Sequence, residues 1–460
     1  MPAGFWTLWS TVCLDLIGFG IVVPILGQYA ERFGASGFTV GLLFAVYSLA
    51  QLVGAPLLGR LSDRIGRKPV IVIALLGTAA GSFITGAAGA LWVLFVGRII
   101  DGASGGSLSV AQAAVTDIAP PEQRPRLLGM LGAAFGVGFV LGPAIGGLAA
   151  LGGAHVPFYV AGALATFNAV AALIRLPETR AAHERPTHPG FQVPRSRVLR
   201  RLALVGFLTT FSFAAFEATF SLFGGQRFDL TESGVSVVFL LIGVVLVVMQ
   251  GGVYHRLVRR HDVARVYLGG VVAISLGLLL TGAATAWPTL VVALVLLGIG
   301  QGVANPAITT LVANHAPAHR RGEAMGFQQS AYAVARVIGP VTAGLLFDRA
   351  VWSPYAVGAV LCALGGVLLV GWRITGGAPV GGRTVPEPQF GLSVGRVRQG
   401  RMSTSWGTVG AMTTNEPEPK RSEDHEFPFM ELFNAEDAIE NPGEPVEDLD
   451  PTDDSDAPAP

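Results

Sequence analysis

Three carboxylates and one guanidinium stand inside runs that are otherwise apolar. They are Asp15 in Leu14-Asp-Leu-Ile-Gly18, Arg98 and Asp101 in Val96-Gly-Arg-Ile-Ile-Asp-Gly102, and Glu217 in Phe216-Glu-Ala-Thr-Phe220. An ionised group is costly in apolar surroundings, and one kept there is by default a functional group. Desolvation makes carboxylates hold a proton nearer to neutral pH, the property a proton carrier needs. Asp15, Asp101 and Glu217 are therefore expected to carry protons. Arg98 and Asp101, three residues apart, would share a helix face, so the pair reads either as a structural ion pair or as a coupling element. Asp15 has the plainer alternative of an acid bonded to a neighbouring helix. Isolated polar or aromatic residues in other apolar runs, namely Gln51, Phe213, Gln301, Asn305, Gln328 and Tyr332, are expected to line a substrate cavity, with interhelical bonding as their plainer role. No Walker loop occurs, the eight His are scattered, and Cys13 and Cys362 lie in separate apolar runs. No enzyme, cofactor, metal or nucleic-acid partner is therefore expected.

The elements that must position these groups follow from hydropathy. Of 460 residues, 51% are apolar and 13% charged, with a mean hydropathy of +0.55, against roughly a quarter charged in soluble domains. Stretches of the roughly 20 residues needed to cross a bilayer recur twelve times: 5–27, 38–59, 70–89, 91–115, 127–150, 156–175, 202–223, 233–254, 264–284, 288–313, 323–347 and 352–372. In lipid such spans must be helices, because free backbone groups find no partner there. The first is read as a retained helix, since it lacks the basic leader and cleavage site of a signal peptide. Five alternate connections hold 19 Lys and Arg; the opposite connections hold Arg32, Arg227 and Arg349 only. The positive-inside rule then puts both termini in the cytoplasm of a multi-pass inner or plasma membrane protein.

The chain also repeats. Ala119-Pro120, Arg124, Gly129, Gly142-Pro143 and Gly147 recur 197 residues later as Ala316-Pro317, Arg321, Gly326, Gly339-Pro340 and Gly344. Two six-helix halves of like topology are expected, over 1–175 and 202–373, joined by a cytoplasmic linker at 176–201. The formal charge of zero divides unevenly: 25 basic and 14 acidic residues lie before position 374, and 6 basic and 17 acidic residues from there on. Residues 374–460, polar and Pro-rich, read as a disordered acidic tail. Within it Glu426–Phe433 is an aromatic-acidic patch, either a docking peptide for an unknown cytoplasmic partner or incidental. The tail's charge would also suit it to the chain's own basic loops.

Between the second and third spans stands Gly59-Arg-Leu-Ser-Asp63-Arg64-Ile-Gly66-Arg67-Lys68-Pro69. Its glycines permit a tight reversal, and Asp63 can point at a helix N-terminus, which favours an anion. The pattern resembles the signature of the major facilitator superfamily, in which this loop is a latch closing the two halves on the cytoplasmic side. The resemblance implies the major facilitator fold: an all-α membrane protein with twelve transmembrane helices in two pseudo-symmetric bundles. The second-half counterpart carries Arg259 in place of Asp63, so a latch there would be degenerate. Arg98 matches a buried arginine that the family links to proton transfer.

In the fifth span Gly136-Val-Gly138, Gly142-Pro143 and Gly146-Gly147 form a small-residue face with a bend at Pro143. This looks like the antiporter motif of proton-coupled drug exporters. With Asp15, Pro24 and Leu176-Pro-Glu178, residues 5–180 resemble tetracycline/proton antiporters; the second half does so mainly through Gln301, Pro306 and Gly339-Pro340. The acid those exporters carry in the third span is absent near Gly81, and 264–284 has no acid. Both departures argue against tetracycline itself, and Glu217 is expected to compensate. The resemblance implies proton-driven export of small amphipathic compounds. A solute importer or facilitator of the same fold, or a transport-dead sensor acting through its tail, are the alternatives.

Overall fold

The structure is a computed structural model that describes residues 1–2, 4–120, 122–179, 196–317 and 320–374. Residues 180–195 of the expected linker and 375–460 of the expected tail, with its aromatic-acidic patch, lie outside them. The described residues are helical, without strands. The first six spans comprise α1 (Phe5–Val22), α2 (Leu26–Glu31), α3 (Gly37–Ile65), α4 (Arg67–Gly86), α5 (Leu91–Ser104), α6 (Ser107–Ile118), α7 (Arg124–Ala150) and α8 (Val156–Arg175). The last six comprise α9 (Arg197–Phe228), α10 (Glu232–Val248), α11 (Tyr254–Arg260), α12 (Val263–Ala283), α13 (Trp287–His315), α14 (Arg321–Phe347) and α15 (Ser353–Ile374).

Among the described residues twelve apolar helical segments are long enough to cross a membrane, as the hydropathy requires. Three differ in detail from single uninterrupted helices. The first span breaks after Val22, where Pro24 removes a backbone donor. The fourth breaks at Gly105-Gly106, and the eighth runs on through a π-helical turn at Met249–Val253 to Arg260.

Packing repeats as the sequence does. Gly142 of α7 meets Gly20 of α1, and an added Cβ would lie 2.6 Å from it; its counterpart Gly339 of α14 sits 3.0 Å from the Phe211 carbonyl of α9 by the same measure. The next equivalent pair reaches across the molecule. Gly147 packs on Ser236 of α10, and Gly344 packs on Gly37 of α3. One surface of each repeat thus stays within its own six spans while the adjacent surface meets the other six.

The end of the bundle that carries the arginine-rich connections is called the basic face below. At the opposite face the two sets of spans are tied together. Gln28 donates to the carbonyls of Ser221 (3.1 Å) and Leu230 (2.7 Å), Arg32 pairs with Glu232, and Ser233 donates to the Gly147 carbonyl at 2.9 Å. Asp348 accepts from the amides of Gly37 (2.7 Å) and Phe38 (2.9 Å), an anion on the N-terminus of α3. Towards the basic face four glycines of α7 and α14 stand free: a Cβ at Gly129, Gly132, Gly322 or Gly326 would meet nothing within 4 Å.

Candidate functional site

The break in the fourth span places one site group. It makes Ser107 the first residue of α6, and its hydroxyl donates to Asp15 of α1 at 2.5 Å. Gln51 of α3 donates to the Gly105 carbonyl at 2.9 Å, satisfying an acceptor freed by that break. One turn earlier Arg98 and Asp101 face each other as an i,i+3 pair, Nη1 to Oδ2 at 2.7 Å, both nearly closed off from solvent. The aromatic face of Tyr47 lies under the guanidinium, 4.2 Å from its carbon, a cation–π contact. Asp15 and Asp101 are close enough to act on each other electrostatically. Four helices, α1, α3, α5 and α6, therefore bring Asp15, Tyr47, Arg98, Asp101 and Ser107 into one polar cluster inside the first six spans.

The second half contributes Glu217 on α9, with Arg336 and Tyr332 on α14. Arg336 acts electrostatically on Glu217 and Tyr332 of its own half and on Tyr47 of the other. Among the described residues, neither the Glu217 nor the Arg336 side chain has an ion-pair or hydrogen-bond partner. Arg336 was not among the residues singled out by the sequence. The signal was available, because Ala331-Tyr-Ala-Val-Ala-Arg-Val-Ile338 is an apolar run with one charge, as around Arg98. The runs around Tyr47 and Ser107 carry no comparable signal.

The other expected cavity residues separate. Gln328 donates to the Tyr332 hydroxyl at 2.5 Å, and both side chains are buried. Phe213 is packed on Phe216 in an aromatic cluster with Phe220, Phe223, Phe239 and Tyr355. Gln301 keeps a buried Oε1 without a partner, and Asn305 is exposed.

The loop motif at 59–68 is built differently from the expectation in two respects. Gly59 lies inside α3, which runs on to Ile65, so only Gly66 makes the reversal, at φ 104°. The anion on the N-terminus of α4 is Glu178, which accepts from the amides of Arg67 (2.9 Å) and Lys68 (3.2 Å). Asp63 instead receives Arg67 Nη1 at 2.8 Å, while Arg67 also binds Ser62 and Asp117. Arg67 is 9% exposed and Arg64 faces solvent. In the fifth span Gly138, Gly142 and Gly146 line the α7 face against Leu16, Gly20 and Ile21 of α1, with Pro143 buried beside them; Gly147 turns to α10.

A twelve-span bundle with repeated halves and a mid-span charge cluster has a known counterpart. The sequence profile of the Major Facilitator Superfamily matches residues 8–262 and 253–413. The chain belongs to the Major Facilitator Superfamily. It is 28% identical over 372 residues to multidrug resistance protein 1 of Bacillus subtilis, covering 80% of this chain and 95% of that protein. It is 31% identical over 368 residues to the class C tetracycline resistance protein of Escherichia coli, covering 76% and 92%. Among solved structures, the human organic anion transporter MFSD10 (TETRAN) is similar at 26% identity and a TM-score of 0.63, over 80% of this chain and all of that one. As a superfamily member the chain is a multi-pass cell membrane transporter of small molecules and not an enzyme.

Proposed function

We propose that this major facilitator is a proton-driven exporter of small amphipathic compounds, working by alternating access between two six-helix halves, 1–175 and 202–373. The observation that carries the reading is the pair of charge clusters: Asp15, Arg98 and Asp101 in one half and Glu217 with Arg336 in the other, with Tyr47 in electrostatic reach of both. Protonation of an acid in such a cluster changes its net charge where each charge is costly, so proton and substrate compete for one electrostatic environment. The glycine face of α7 that resembles the antiporter motif, and relatives named for multidrug and tetracycline resistance, support export over uptake. A relative named as an organic anion transporter supports a wider substrate range than tetracyclines.

The basic face is cytoplasmic in this reading, with both termini there, following the positive-inside rule. The latch residues Gly59, Asp63, Arg64, Gly66, Arg67 and Lys68 then act at the cytoplasmic end. Gln51, Phe213, Gln301, Asn305, Gln328 and Tyr332 remain the proposed cavity positions; Phe213, whose ring packs into the aromatic cluster, is the weakest of the six. The acidic tail, beyond the 176–201 linker and the second half, is proposed to lie over the basic loops. Its cross-linking to 60–69 at low salt is the check, and no cross-link there overturns it.

The central test is dye efflux from cells expressing the protein, with and without a protonophore. Wild-type efflux should stop with the protonophore, and Asp15→Asn should stop it while leaving membrane insertion intact. Undiminished efflux in Asp15→Asn removes Asp15 from the coupling role; efflux indifferent to the protonophore overturns proton drive.

A further inference from the structure

Helix registry fixes where Glu217 and Arg336 stand. Gly206 of α9 packs against the Tyr332 ring and Gly339 of α14 against Phe211, so the two helices run parallel with those residues level. Arg336 is then level with about position 209 or 210 of α9, and Glu217 stands seven or eight residues further along. At about 1.5 Å per residue their Cα levels differ by about 10 Å, a gap that two extended side chains narrow. On the other side, Gly37 packs on Gly344 and Gly41 on Pro340, so α3 runs antiparallel to α14. Continued by four to six residues, that registry brings Arg336 level with Ala45–Tyr47. Arg336 therefore lies on the seam between the halves, and its side chain is exposed there.

The chemistry of the two groups differs from that of the first-half pair. Arg98 and Asp101 pair through Nη1 and Oδ2 at 2.7 Å; Glu217 and Arg336 are left apart. An unpaired charge of each sign, held at different heights on adjacent helices at membrane depth, is complementary to one molecule carrying both charges. Tyr47 opposite, only half-buried, supplies aromatic surface for an apolar body.

We infer that Glu217 and Arg336 form a bipolar site selecting zwitterionic amphiphiles, whose anionic group docks on Arg336 and whose ammonium docks on Glu217. This rests on the transport reading above and names its substrate class. Each half-site alone is weaker than the two together, because both charges must leave water for the ligand to bind.

Equilibrium binding to the purified full-length protein in nanodiscs, without any gradient, tests the inference. The probes are Nα-dansyl-lysine, which carries a carboxylate and an ε-ammonium, its methyl ester, which lacks the anion, and its Nε-acetyl derivative, which lacks the cation. Wild type should bind the zwitterion at least about tenfold more tightly than either derivative, about 1.4 kcal/mol. Arg336→Gln should bind the zwitterion no better than the methyl ester, and Glu217→Gln no better than the acetyl derivative, while Arg336→Lys should retain part of the preference. Wild-type affinities that do not distinguish the three probes, or an unchanged ratio in Arg336→Gln, overturn the inference. Thermal melting of each variant separates loss of selectivity from loss of fold. Because the assay has no gradient, a failed proton coupling would leave its result standing, whereas a failed bipolar site would leave protonophore-sensitive efflux standing.

Discussion

At the scale of single residues the Arg98–Asp101 pair is the clearest case of a charge that cannot be left alone. Removing one member of a buried ion pair costs about 3–5 kcal/mol, because the other stays charged in apolar surroundings. Asp101→Ala should therefore lower the melting temperature of the detergent-solubilised protein strongly. The Arg98→Ala/Asp101→Ala double variant should lose clearly less than the sum of the two single losses; additive losses would mean that the pair is not coupled. The pairing itself was legible, since a spacing of three on an apolar helix admits it. Its surroundings were not: Tyr47 lies 51 residues from Arg98 in the chain and Ser107 lies 92 from Asp15. Periodicity within one helix says nothing about contacts that depend on which helices become neighbours. Arg336 differs, because the criterion that picked out Arg98 applies to it unchanged.

At the scale of elements, small residues determine how closely helices approach. Gly138 rests on Leu16, and an added Cβ would lie 2.8 Å from its backbone carbon. Gly138→Val should push α1 and α7 apart, lower the melting temperature and reduce the amount of protein in the membrane. Gly132→Ala, on the same helix but facing open space, should be neutral or stabilise by about 0.5–1 kcal/mol, since glycine is entropically costly inside a helix. Equal effects of the two substitutions would remove the packing argument. Helix number and approximate span followed from hydropathy because twenty apolar residues have one solution in lipid. The breaks at Pro24 and Gly105-Gly106 did not, since membrane helices also accommodate glycine and proline without breaking. Similarly, the loop pattern identified the motif at 59–68, but only tertiary structure puts Glu178 on the amides of α4 that Asp63 was expected to meet.

At the scale of the whole molecule, the opposite-face contacts join residues far apart in the chain; Asp348 lies 311 residues from Gly37, beyond any local pattern. The repeat at offset 197 carries over into the packing, since the equivalent Gly147 and Gly344 each meet the other six spans. Arg32→Cys/Glu232→Cys should form a disulfide that holds this face shut and stops transport, with recovery on reduction; transport by the oxidised protein would show that the face need not open. Asp348→Ala should increase labelling of a cysteine at Gln28 by a membrane-impermeant thiol reagent, and unchanged labelling would remove Asp348 from the closure. The make-up of this closure also bears on how the machine is poised. Arg32 and Asp348 bind at the rim, partly in contact with solvent, where a polar contact contributes only about 0.5–1.5 kcal/mol. A handful of them is comparable with the roughly 5.5 kcal/mol that carries a two-state equilibrium from 1:99 to 99:1. On the proposed alternating-access reading, occupancy of the central site, through an ordinary difference in affinity between the two states, would be enough to tip the balance. On that reading the rim is a light counterweight to the cargo.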